Sequence, residues 1–162
     1  MRYQMRQKFF AFGDDFAIRD AEGNECFFVD GKVFSIGDRL SILDTAGNEV
    51  AHIQQRLFSW GRTYEIYGPD GLFAVVKKSL FTLFHCTFSI DVPGPDDLEA
   101  SGDFFDHEYT FGRAGRPVAS VSKAWFSLTD SYGIDIADGE NDVLLLASAV
   151  VIDLCCHSSD KD

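Results

Sequence analysis

The chain has 162 residues, of which 46% are hydrophobic and 16 are Phe, enough for one domain with a sizeable core and too apolar for a disordered chain. Its net charge of −12 is uneven, because residues 1–90 carry 10 Lys/Arg against 11 Asp/Glu whereas residues 91–162 carry 4 against 15. Such a surface repels polyanions and argues against a nucleic-acid partner.

In chain order, the first half reads as short strands separated by turns. Lys8–Phe12, Phe16–Arg19, Glu25–Val29, Lys32–Ile36, Leu40–Asp44 and Ala74–Lys77 are predicted strands. DAEG at 20–23, DTAG at 44–47, GPDG at 68–71 and GRAG at 112–115 are turn tetrads ending in Gly. Their spacing of roughly 24 residues along the first half leaves room for a pair of strands between successive turns. Alternation is clearest at 84–92, where Phe84, Cys86, Phe88, Ile90 and Val92 share one face. Residues 92–102, VPGPDDLEASG, read as an inserted loop with a helical turn near Pro95–Ala100. Gly102–Asp106 and Glu108–Phe111 are the next predicted strands.

An internal repeat joins the two halves. Leu43–Tyr67 aligns without gaps on Phe111–Asp135, and the identities include Ala51/Ala119, Tyr64/Tyr132 and Ile66/Ile134. Each copy reads as a Gly-containing turn, a strand, a short loop and a second strand, so the two halves are similarly built.

Val143–Cys156, VLLLASAVVIDLCC, follows Asn141 and Asp142, which suit a helix N-cap. A helix apolar on every face has no solvent side and must be enclosed. At about 21 Å it is short of the roughly 30 Å hydrocarbon layer, and Asp153 interrupts it, so a core helix is predicted and no transmembrane span. An open sheet of about 12 strands would leave two edges and an uncovered face, whereas a closed one is too wide to fill with its own side chains. The predicted fold is therefore mainly β: a closed antiparallel barrel of about 12 strands around a central C-terminal helix at about 141–157, forming a single domain over 1–162.

Chemistry is harder to find. Cys26, Cys86, Cys155 and Cys156 have no zinc or CxxC spacing, and adjacent cysteines suit no ordinary disulfide, which points to reduced thiols in a cytoplasmic protein. A secretory leader is not expected, because no charged start, apolar run and cleavage site combine near residue 1. Arg56, Arg62, Lys77 and Lys78, with Trp60 between the arginines, form the densest basic group. Arginine forks suit phosphate and Trp suits a lipid interface, so these five are candidates for an anionic headgroup; the alternative is a set of solvated charges paired with carboxylates such as Glu65. The second repeat copy has Ala124 and Asp130 at the places of Arg56 and Arg62, which makes the basic character local to one half. Asp103, Asp106, His107 and Glu108 carry ligand chemistry but alternate in direction along a strand, so no metal site is expected. Asp153, a carboxylate in an apolar helix, is read as structural: it either faces water at the barrel mouth or accepts hydrogen bonds from strand backbone or an Arg. No nucleophile elbow, P-loop or dinucleotide fingerprint is present, so neither catalytic residues nor a cofactor are expected.

YQMRQKFF at 3–10, IRDAEGNECFFVDGKVFSIGDRLSILDTAGNEVAHIQQ at 18–55, YEIYGPDG at 64–71, GDFFDHEY at 102–109 and VSKAWFSLTDSYGIDIADGE at 121–140 together resemble the LURP-one-related family. That family shares the Tubby C-terminal-like fold with Tubby proteins and phospholipid scramblases. The resemblance implies a 12-stranded barrel around a C-terminal helix. Tubby domains bind phosphoinositides and scramblases act at membranes, and with no catalytic motif in this chain the expected function is a non-enzymatic binding or scaffold role, with a phosphoinositide or other phospholipid headgroup, or a protein, as candidate partner. A scramblase-like peripheral membrane protein is the alternative, and a cryptic enzyme the second. Tubby's basic residues have no matched positions here, so none is carried over.

Overall fold

Side chains alternate between core and solvent along most of the wall, which is what forces strands here. The computed structural model describes residues 1–6, 15–33, 38–56, 62–80, 86–126 and 131–157. These form β1 (Arg2–Arg6), β2 (Phe16–Asp20), β3 (Glu25–Val33), β4 (Asp38–Asp44), β5 (Glu49–Gln55), β6 (Thr63–Gly68), β7 (Gly71–Leu80), β8 (Cys86–Asp91), β9 (Leu98–Asp103), β10 (Glu108–Arg113), β11 (Arg116–Ser122), β12 (Ser131–Ile136) and α1 (Asp142–His157). Each strand pairs antiparallel with its neighbours in sequence, and β1 closes the ring on β12, with Tyr3 opposite Ile134 and Met5 opposite Tyr132. The predicted barrel is thus the observed one.

Because the strands alternate in direction, the barrel has two distinct ends. At the floor lie the turns at 21–24, 45–48, 69–70 and 114–115, and the start of α1. At the mouth lie the β9–β10 turn and the last turn of α1. Along the axis, every residue of α1 from Leu144 to Leu154 is buried. Asn141 caps the helix, its Oδ1 accepting from the Leu144 N–H at 3.1 Å. The floor end is tied further by Tyr3 Oη, which donates to Asp142 Oδ2 at 2.6 Å, and by Arg113 Nη1, which donates to both Glu140 oxygens at 2.8 Å.

Four floor hairpins share one device. In each, the register slips by one residue, leaving Cys26, Val50, Phe73 and Val118 as the extra residues of β-bulges. A bulge bends its strand and re-aims a side chain. Here it turns an apolar group in against the core, and Val50 and Val118 occupy equivalent places in the internal repeat. The Phe73 ring lies so close over Gly68 that an added Cβ there would stand 2.4 Å from it.

Three boundaries differ from expectation. The separate strands expected at Glu25–Val29 and Lys32–Ile36 are one continuous β3 as far as Val33, because Asp30 and Gly31 stay paired with Ser41 and Leu40. The loop and helical turn expected over 92–102 give way to β9 from Leu98, whose Leu98 and Ala100 face the core. The strand expected over Gly102–Asp106 ends at Asp103, and Phe104–His107 form a turn. The predicted strand Lys8–Phe12 lies outside the described residues, whereas β1, which drew no prediction, buries Tyr3 and Met5.

Candidate functional site

The basic group divides by strand parity. On β6 the inward residues are Tyr64 and Ile66, so Glu65 faces out, and Arg56 reaches it from the end of β5 with Nε donating to Oε1 at 2.7 Å. Tyr67 hydroxyl donates to the other oxygen, Glu65 Oε2. The Tyr67 hydrogen bond first, then Arg56, holds the Glu65 carboxyl below its ordinary range, and the same bond raises the Tyr67 phenol. On β7 the inward residues are Ala74 and Val76, so Lys77 also faces out and pairs with Asp91 at 3.4 Å. Exposed pairs of this kind contribute at most about 1 kcal/mol to stability, so the outer-wall cations are lightly held.

Arg62 goes elsewhere. It shares the inward parity of Tyr64 and Ile66, and its Nη1 donates to the Leu154 carbonyl at 2.9 Å. That places a guanidinium at the C-terminal end of α1, where the helix dipole favours positive charge. Lys78 is half-buried and has the parity of Val76, and its backbone N–H lies 3.5 Å from the Arg62 carbonyl. Trp60 lies outside the described residues. Of the five candidates, then, Arg56 and Lys77 are on the outer wall, whereas Arg62 serves the helix.

The acidic stretch likewise disperses. Asp103 Oδ1 accepts from the Asp106 N–H at 3.0 Å, and Glu108 Oε1 accepts from Ser122 Oγ at 2.8 Å and the Lys123 N–H at 3.0 Å. His107 turns the opposite way and is fully buried. Among the described residues no group of three or more His, Cys, Asp or Glu could hold a metal ion.

His107 leads to a polar centre that sequence reasoning did not assemble. Its Nε2 lies 3.0 Å from Asp153 Oδ1, and Tyr132 hydroxyl donates to Asp153 Oδ2. The His107 and Tyr132 rings stack at 4.2 Å. Asp153 therefore does not face water: it is buried, and a turn side chain and a strand side chain hold it inside the wall. Burial, then the Asp153 charge, pushes the phenols of Tyr109 and Tyr132 well above their ordinary value. The repeat carried one usable signal, since Tyr132 matches the buried Tyr64.

Architecture and site together define a class: a ring of twelve antiparallel strands threaded by its own apolar helix, as in the Tubby C-terminal-like fold. The LURP-one-related family model matches residues 1–153, and the chain belongs to that family. It is 33% identical over 159 residues to the uncharacterized protein YxjI of Bacillus subtilis, covering 98% of this chain and 95% of that one. It is also similar to an X-ray structure of an Arabidopsis thaliana protein, with a TM-score of 0.64 and 19% identity, covering 93% of this chain and 88% of the other. The second likeness concerns the fold alone.

Proposed function

We propose that this chain is a non-enzymatic binding or scaffold domain that recognises its partner on the barrel exterior. The observation that carries the reading is the filled interior: α1 occupies the space where a ligand-binding barrel would hold its ligand, and Leu144–Leu154 are buried throughout. Recognition then falls to the outer wall and rims.

An anionic phospholipid headgroup is the first ligand class, with Arg56 and Lys77 as outer-wall contacts; Lys78 has the opposite parity, and Trp60 lies outside the described residues. The Arg56–Glu65 and Lys77–Asp91 pairs are weak enough to exchange a carboxylate for a phosphate at little cost. Such a domain works in the cytoplasm and peripherally at a membrane. Among the described residues no helix is long and apolar enough to cross one. A scramblase-like role for α1 would have to carry Asp153 out of its polar centre, and no observation favours it.

Flotation with vesicles of phosphatidylcholine, with and without a phosphoinositide, tests the reading. Co-flotation at low salt that needs the phosphoinositide and is lost in Arg56→Glu/Lys77→Glu supports the headgroup. Absence of flotation at low salt removes the lipid and leaves a protein partner on the same exterior.

A further inference from the structure

The two ends of α1 are held by different chemistry. The floor end carries a cap, the Tyr3–Asp142 bond and the Arg113–Glu140 fork. At the mouth, Arg62 of β6 donates to the Leu154 carbonyl, and the apolar packing of α1 is interrupted by one carboxylate, to which His107 of the β9–β10 turn and Tyr132 of β12 are bonded. His107 and Asp153 are the fully buried ionisable groups of the described residues apart from the tyrosines. An apolar residue at 153 would hold the helix by contact that fades gradually with distance. A carboxylate shared between two directional donors is either seated or not.

Two further features mark this point as strained. His107 has φ 53°, a left-handed backbone that non-Gly residues adopt at a cost, and the turn keeps it because the ring is seated on Asp153. Tyr109, next along β10, buries a hydroxyl that has no hydrogen-bond partner among the described residues, within range of the Asp153 charge and of Cys156. The centre is thus anchored by Asp153 while two of its neighbours sit in unfavourable states.

We propose that His107, Asp153 and Tyr132 form a conformational latch. Closed, it seats the last turn of α1 on the β9–β10 turn. Open, it frees those two segments together while the barrel stays paired, and the half-buried Cys155 and Cys156 become accessible. The latch is independent of the lipid reading, because it involves neither Arg56 nor Lys77.

Hydrogen exchange and peptide-mapped thiol modification of the full chain test it. In the native chain, amides at 104–107 and 153–156 share one opening, distinct from and more frequent than that of β4–β7. Asp153→Asn and Tyr132→Phe each raise that opening, and the modification rate of Cys155 and Cys156, by about tenfold or more. Cys26, near the floor, keeps its rate. If the two segments exchange only with the whole barrel, or open independently of each other, the latch is overturned. Should Asp153→Asn fail to fold, Tyr132→Phe and the native-chain exchange still decide. Unchanged exchange in a folded Tyr132→Phe overturns the proposal as well.

Discussion

Leu144, Leu145 and Leu146 point in three directions about 100° apart around the helix axis, and their exposures are 6%, 1% and 0%. On a helix lying across a surface, at least one of the three would face water. Truncating each in turn to Ala therefore measures enclosure from three sides, and Leu→Ala changes helix propensity little. Each change removes three carbons, about 2.4 kcal/mol of transfer free energy at roughly 0.8 kcal/mol per methylene. The cavity left in a wall that cannot collapse brings the loss to about 3–5 kcal/mol, against a total stability of about 5–15 kcal/mol for a domain. Melting temperature then falls by roughly 6–20 °C. Urea unfolding followed by tryptophan fluorescence, with Leu72→Ala at a position 43% exposed as the control, gives the comparison. A loss under about 1 kcal/mol at any one of the three leucines, matching the control expected at a surface site, would refute the enclosed helix.

Three further outcomes follow from the same geometry. Gly102 has φ 135° and lies so close to β10 that an added Cβ would stand 2.6 Å from the Glu108 carbonyl oxygen and 2.7 Å from Tyr109 Cα. Gly102→Ala should therefore cost about 2 kcal/mol or more in urea unfolding, and a loss below 0.5 kcal/mol by the same estimate argues against that approach. Tyr109 and Tyr132 have folded pKa values raised above the ordinary phenol. The stability they carry is fully present below about pH 10 and is lost as pH rises through the folded value. An alkaline titration at the tyrosinate absorbance band should show both ionising only as the barrel unfolds, and early reversible ionisation of all five tyrosines contradicts their burial. Asp153→Leu should lose about 3–5 kcal/mol, because it strands His107 and Tyr132 without their acceptor, whereas adding His107→Leu and Tyr132→Phe should recover much of the loss; denaturation midpoints of the single and triple variants decide.

What the amino acids disclosed was set by how local the signal was. The helix was readable because its apolar residues are consecutive, and the hairpins because their turn tetrads and alternating faces fall within a few residues. β9 escaped because Pro93, Pro95 and the acidic residues around them obscure a strand with only Leu98 and Ala100 turned inward. β1 escaped because it is short, with Tyr3 and Met5 turned inward. The polar centre was out of reach, since His107 and Tyr132 lie 46 and 21 residues from Asp153 and meet it only once the ring is closed. Arg56 and Arg62 looked alike as neighbours in sequence, yet parity sends one to a carboxylate on the wall and the other to the helix end.

The seam between β1 and β12 bears on how the molecule is made. Residues 2–6 are made well before their partner at 131–136, and the filling at 142–157 comes later still. Until then the nascent chain is a curling trough lined with Ile18, Ile42, Ile53, Ile66 and Ile90, with both margins unpaired and nothing to cover its hollow. Contacts so distant in sequence make assembly slow and expose that lining meanwhile. A ribosome halted before Asp142 would hold a sticky half-cylinder, so safe folding depends on residues 142–157 reaching the hollow soon after the strands that line it.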